Sequence, residues 1–145
     1  MANEISVRVG LSITKNNLVY TSPVSNFRAD MSGQKGPTPG SITIGVGGTI
    51  VEFSELSYPG WCILKNEDLT NLVEYGILDY QTGVFYPFGE LEPGHASVFK
   101  FSRNVKSEEE GAGTGTGTGT TGYTNKIYFR AIGGSCVVRI DAFEA

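Results

Sequence analysis

The sequence predicts an all-β protein: a single-domain antiparallel β-sandwich, jelly-roll-like, with an N-terminal β-hairpin and a long Gly/Thr-rich loop. Three observations point there. Short segments rich in alternating, β-branched or aromatic residues recur along the 145 residues, Gly/Pro-rich turns punctuate them, and no stretch holds a 3.6-residue apolar period long enough for a crossover helix. A chain of this length is most simply one domain, residues 1–145, and buries roughly 68–70% of its unfolded surface without help from metals or disulfides.

The elements follow in order. From Ile5 to Thr14, Ile5, Val7, Val9, Leu11 and Ile13 alternate with Ser6, Arg8, Gly10, Ser12 and Thr14, the pattern of a half-buried strand. "KNN" (Lys15 to Asn17) supplies a turn, because Asn tolerates left-handed backbone, and a second extended run starts at Leu18, so the chain opens with a hairpin. Further strands are expected at Ile42 to Val46, Thr49 to Phe53, Trp61 to Lys65, Leu72 to Ile77, Val84 to Pro87, His95 to Phe101, Lys126 to Ala131 and Cys136 to Phe143. The segments "GPTPG", "GVGG", "YPG", "DYQTG", "LEPG" and "IGG" between them read as turns. In "NEDLTNLV", Asp68 is placed to cap a single helical turn carrying Leu69, Leu72 and Val73. The tally suits a jelly-roll sandwich of about eight strands plus an extra hairpin.

Eleven basic and 15 acidic side chains give a net charge of −4, with no concentrated basic face, so nucleic-acid binding is disfavoured. "MANEISVRVG" lacks a basic region followed by an apolar one, and no segment approaches the roughly 18 apolar residues of a membrane span. The expectation is a soluble protein made in the cytosol, with no membrane partner. Cys62 and Cys136 read as buried free thiols, Cys136 sharing a core-facing side with Val138, Ile140 and Ala142.

"GAGTGTGTGTTG" (Gly111 to Gly122) lacks the apolar surface to pack. It also lacks the strand, helix and Lys that phosphate-binding glycine loops need. It reads as part of a flexible protruding loop over 107–125, in which Thr114, Thr116, Thr118 and Thr120 are candidate contacts. One histidine, His95, with two distant cysteines falls short of a metal site. No nucleophile elbow accompanies it, and the carboxylate pairs Glu52/Glu55 and Glu90/Glu92 read as solvated. No enzyme activity, cofactor or metal is expected. Between positions 58 and 88 lie Tyr58, Trp61, Tyr75, Tyr80, Phe85, Tyr86 and Phe88. Core packing is the first reading for Trp61 and Phe85, while Tyr58 and Tyr80, beside turns, stay open between core and surface. Tyr58, Trp61, Tyr80 and Tyr86 complete the candidate interface.

"ELSYPGWCILKNEDLTNLVEYG" (Glu55 to Gly76) followed by "GELEPGHASVFKF" (Gly89 to Phe101), with "GPTPG" upstream and "CVVRIDAFE" at the end, resembles a family of small β-sandwich virion structural proteins of tailed bacteriophages. The shared features are turn formers and core positions; the insertion around Gly111 to Gly122 departs from the pattern. The resemblance implies a capsid decoration, or cement, protein assembled in the host cytoplasm and placed on the outer capsid surface. Its implied partners are the major capsid protein and copies of itself, as a homotrimer. Two other readings stand beside it: a carbohydrate- or protein-binding module of a phage tail or fibre, using the Tyr58 to Tyr86 aromatics, and a small cupin-like enzyme, for which the ligands are missing.

Overall fold

The computed structural model describes residues 4–53, 55–79, 82–102 and 126–144. Tyr80, the 107–125 loop and its Thr114, Thr116, Thr118 and Thr120 lie outside the described residues. Among those described there are twelve strands and no helix, and every strand pair is antiparallel.

The first four strands form the expected hairpin, longer than its sequence signal. Strands β1 (Ile5–Val9) and β4 (Ser25–Ala29) pair at its base, β2 (Ser12–Lys15) and β3 (Leu18–Thr21) at its tip. The tip turns at Asn16, whose φ of 53° is the left-handed value that Asn accepts readily. Between base and tip, Gly10 and Leu11 face Ser22, Pro23 and Val24, an unequal count that bends the ribbon. The Ser22 hydroxyl holds this break by accepting from the Leu11 amide at 2.8 Å.

The other eight strands make two four-stranded sheets. β10 (Ala96–Lys100), β7 (Pro59–Asn66), β12 (Cys136–Glu144) and β5 (Thr38–Ile44) lie side by side in one. β6 (Thr49–Glu52), β11 (Lys126–Ile132), β8 (Leu72–Asp79) and β9 (Val84–Leu91) form the other. Strict alternation puts Cys136, Val138, Ile140 and Ala142 of β12, Cys62 and Leu64 of β7, and Ile127, Phe129 and Ala131 of β11 into one core. Each large apolar side chain buried there contributes about 1.5–3 kcal/mol. The arrangement is an all-β, sandwich-like pair of sheets around that core.

Two expectations change, and one further strand had no signal of its own. "NEDLTNLV" makes no helical turn: Asp68 Oδ1 does accept the Thr70 and Asn71 amides at 2.7 and 2.6 Å, as a cap would. From Leu72, however, the chain is claimed by two strand neighbours, β11 and β9, and Leu69 is 85% exposed. "GPTPG" is only half a turn, because Thr38 to Gly40 already pair with β12. Ser25 to Ala29, which carries no strong alternation, is a strand because β1 lies against it. In each case a tertiary partner outweighs the local signal.

Two interior polar groups are satisfied. Asn66 donates from Nδ2 to the Asn71 and Leu91 carbonyls at 2.8 and 3.1 Å and accepts the Asp68 amide on Oδ1, tying β7 to β8 and β9. Glu144 accepts the Ser57 amide on Oε1 at 2.9 Å, and a Cβ on Gly33 would fall 1.6 Å from Oε2, so Gly33 leaves room for that carboxylate.

Candidate functional site

The alternation along the hairpin gives it one apolar and one polar face. Ile5, Val7, Val9, Leu11, Ile13, Leu18, Tyr20 and Phe27 share the first; Ser6, Arg8, Ser12, Thr14 and Thr21 lie on the second. At the base this apolar face is covered in part, with Phe27 still 40% exposed. Val7 is 7% exposed, and Phe27 lies against Trp61 with ring centroids 5.4 Å apart. Cover ends before the tip: Val9 at the end of β1, Leu11 in the break, and Ile13, Leu18 and Tyr20 of the tip are each 40–60% exposed. Beyond their own pairing, β2 and β3 have no substantial strand neighbour among the described residues. The arm also differs from the rest in charge. Residues 5–29 carry Arg8, Lys15 and Arg28 and no carboxylate, so a +3 arm stands on a remainder of −7.

The arm is seated on the outward side of the β10–β7–β12–β5 sheet. Trp61 is the hinge of this contact, held between Phe27 and the Lys100 ammonium, which sits 5.9 Å from its ring centroid. Its Nε1 is enclosed and has no hydrogen-bond partner among the described residues. A half-open cleft of ≈ 340 Å³, lined by Ile5, Val7, Met31, Trp61, Ile63 and Val98 among others, remains between arm and sheet.

A second apolar surface opens at the far end of β8 and β9. A bulge sets Gly76 opposite Pro87 and Tyr75 opposite Gly89, leaving Phe88 as the extra residue. A Cβ on Gly89 would lie 2.2 Å from the Tyr75 ring, so only glycine fits beneath it. Beyond the bulge Ile77, Val84, Tyr86 and Phe88 point to the core side of their sheet, yet among the described residues no opposing strand covers them. They are 43–61% exposed. Beside them a groove of ≈ 330 Å³ runs over Tyr75, Phe99 and Phe101.

Of the aromatics singled out from sequence, Tyr58 and Tyr86 are exposed, at 60% and 57%, and make no ring contact with one another. Trp61 and Phe85 are not core residues, which corrects the first reading of both. Trp61 lies under the arm. Phe85 lies on the outward face of its sheet, 4.8 Å from Tyr128 and 5.0 Å below the Arg130 guanidinium, which donates to Glu74 at 2.7 Å. The arm residues Val9, Leu11, Ile13, Leu18 and Tyr20 were missed as site residues. Their alternation was visible, but whether anything lies beneath a strand is a tertiary property.

The polar chemistry is sparse. His95 is exposed in the β9–β10 turn, where its backbone carbonyl accepts the Asn66 amide. Glu52 pairs with Lys126 at 3.0 Å and Glu55 accepts from the Thr38 hydroxyl. Among the described residues no group of three His, Cys, Asp or Glu is placed to hold a metal ion. Cys62 and Cys136 are buried free thiols. Burial, and secondarily the Asp141 charge, pushes Cys62 up to about 12; burial and the Asp68 charge raise Cys136. Neither is a ready nucleophile.

The chain matches no known family, no curated protein and no solved structure.

Proposed function

We propose that this is a virion structural protein of the capsid-decoration type, a jelly roll that acts through its surfaces and carries out no catalytic step. The observation that carries the reading is the arm: a projecting two-stranded ribbon whose apolar face continues, uncovered, beyond the molecule's own core. Isolated hairpins are marginally stable in water, and exposed apolar faces of this kind mark places where another surface is to be met. Strand order supports the fold half of the proposal. Along the two sheets it runs 5-12-7-10 and 6-11-8-9, so that nearly every connection passes from one sheet to the other, the interleaving of paired Greek keys on which viral capsid and lectin domains are built. The resemblance of Glu55 to Gly76 and Gly89 to Phe101 to phage virion proteins supports the role. The proposed partners are the major capsid protein and further copies of this chain, on the outer capsid surface.

The test is immunogold labelling of virions of a tailed phage carrying this reading frame, with antibody against the purified protein. Label on the head is expected. Label on tail or fibre would replace the decoration role by the binding-module reading, and absence of the protein from purified particles by mass spectrometry would remove both.

A further inference from the structure

We infer that the partner of the arm tip is a second copy of this chain, and that the tip seats on the open β8–β9 flank of that copy. This rests on the assembly reading above and gives it a contact. Both surfaces are two-stranded strips with an exposed apolar face, and among the described residues no further strand lies over either. The arm offers Leu11, Ile13, Leu18 and Tyr20, and the flank offers Ile77, Val84, Tyr86 and Phe88. Two such strips pack face to face as the halves of a sandwich do.

Area and charge both favour a second copy. The exposures of these side chains amount to on the order of 400 Å² on the arm and about as much on the flank, so a single contact falls at the weak end of specific interfaces. Exchange between copies, in a reciprocal pair or a closed ring, gives each protomer one contact as donor and one as receiver. A reciprocal pair therefore reaches on the order of 1,600 Å², the size of a standard specific interface. The residues outside the arm sum to −7, so a second copy as a whole attracts the +3 arm, while Lys100 and Lys126 line the groove beside the flank itself. Lys15 on the apolar side of the tip is also opposite in sign to Asp79, which shares the flank with Val84. Such complementarity speeds encounter and fixes orientation.

The experiment is sedimentation velocity of the full chain over about a hundredfold range of concentration. Two double variants accompany it: Leu11→Ser with Leu18→Ser on the arm, and Val84→Ser with Tyr86→Ser on the flank. The wild type is expected to associate with rising concentration, and each double variant to lose affinity by about 30-fold or more. Mixing the two variants is expected to restore association, weaker than that of the wild type, because one carries an intact flank and the other an intact arm. Circular dichroism melts at low concentration check that the variants fold. A wild type that stays monomeric throughout overturns the inference, as does an arm variant of undiminished affinity. A flank variant of undiminished affinity, or a mixture that does not re-associate, overturns the choice of the flank. None of these results moves the gold label on virions, so loss of this contact and loss of the virion role are told apart.

Discussion

Glu144 closes the last strand of the fold, and its carboxylate is held below its ordinary value, first by the Ser57 backbone amide, then by the Ser57 side chain and the nearby Lys35 charge. A carboxyl depressed in the folded state is more acidic there than in the unfolded chain, so it stabilises the fold at pH values above the ordinary 4.5. That contribution fades as the pH falls from there through the lower folded value. Asp68, held down by the Asn71 and Thr70 amides, acts in the same direction. Urea midpoints measured from neutral pH downwards should therefore fall on acidification, and Glu144→Gln should flatten the fall, the two curves converging at the acid end. Parallel curves would show that the carboxylate does not carry the effect. The cysteines give a second test at this scale. With both thiols buried and raised, neither should react with a disulfide reagent in the native protein, and both should react after denaturation. Fast native labelling of Cys62 would mean that the core between the two sheets opens far more readily than its packing suggests.

At the scale of elements, the arm divides into a supported half and an unsupported half. Base strands β1 and β4 are supported through buried Val7 and through Phe27 on Trp61, whereas β2 and β3 have no other substantial strand neighbour among the described residues. Amide hydrogen exchange on the monomer should follow that division: the Ser12–Thr21 ladder exchanges within the range of fraying hairpins, and the Val7–Phe27 pair far more slowly. Equal protection along the whole ribbon would contradict the packing. Much of this element was legible in the sequence. The five-residue alternation of Ile5 to Ile13 and the "KNN" turn specified the hairpin and its apolar side. What was not legible is where support ends, because the same alternation describes a covered strand and a bare one. Trp61 shows the opposite case, a signal that was present and outweighed. It shares parity with Ile63 and Lys65, while Cys62, Leu64 and Asn66 form the inward set, so its strand already turned it away from the core despite its size. For Phe85 the parity argument was obscured by the bulge at Phe88, which no local residue pattern announces.

At the scale of the whole molecule, the strands of the two sheets were read within a few residues of their bounds because their periodicity is local. The order in which they lie together was not, because register between β5 and β12 or β10 and β7 is decided by contacts far apart in sequence. The energetic consequence of that order is a single shared core. Phe129 sits at its centre, fully buried on β11 between β6 and β8, with Tyr75 at 6.1 Å and the inward residues of β7 and β12 across from it. Removing a buried phenyl ring loses its transfer free energy and leaves a cavity that close-packed neighbours fill only in part, so Phe129→Ala should cost about 3–5 kcal/mol. In a domain of this size that corresponds to a fall in melting temperature of roughly 6–20 °C. Because both sheets contribute to the same core, calorimetry should show one cooperative transition, displaced as a unit. The Leu11→Ser, Leu18→Ser arm variant, which removes side chains that the monomer leaves exposed, should melt at the wild-type temperature under dilute conditions. Two separable transitions in Phe129→Ala, one for each sheet, would mean that the sheets are stable layers in their own right and that the strand interleaving does not bind them into one folding unit.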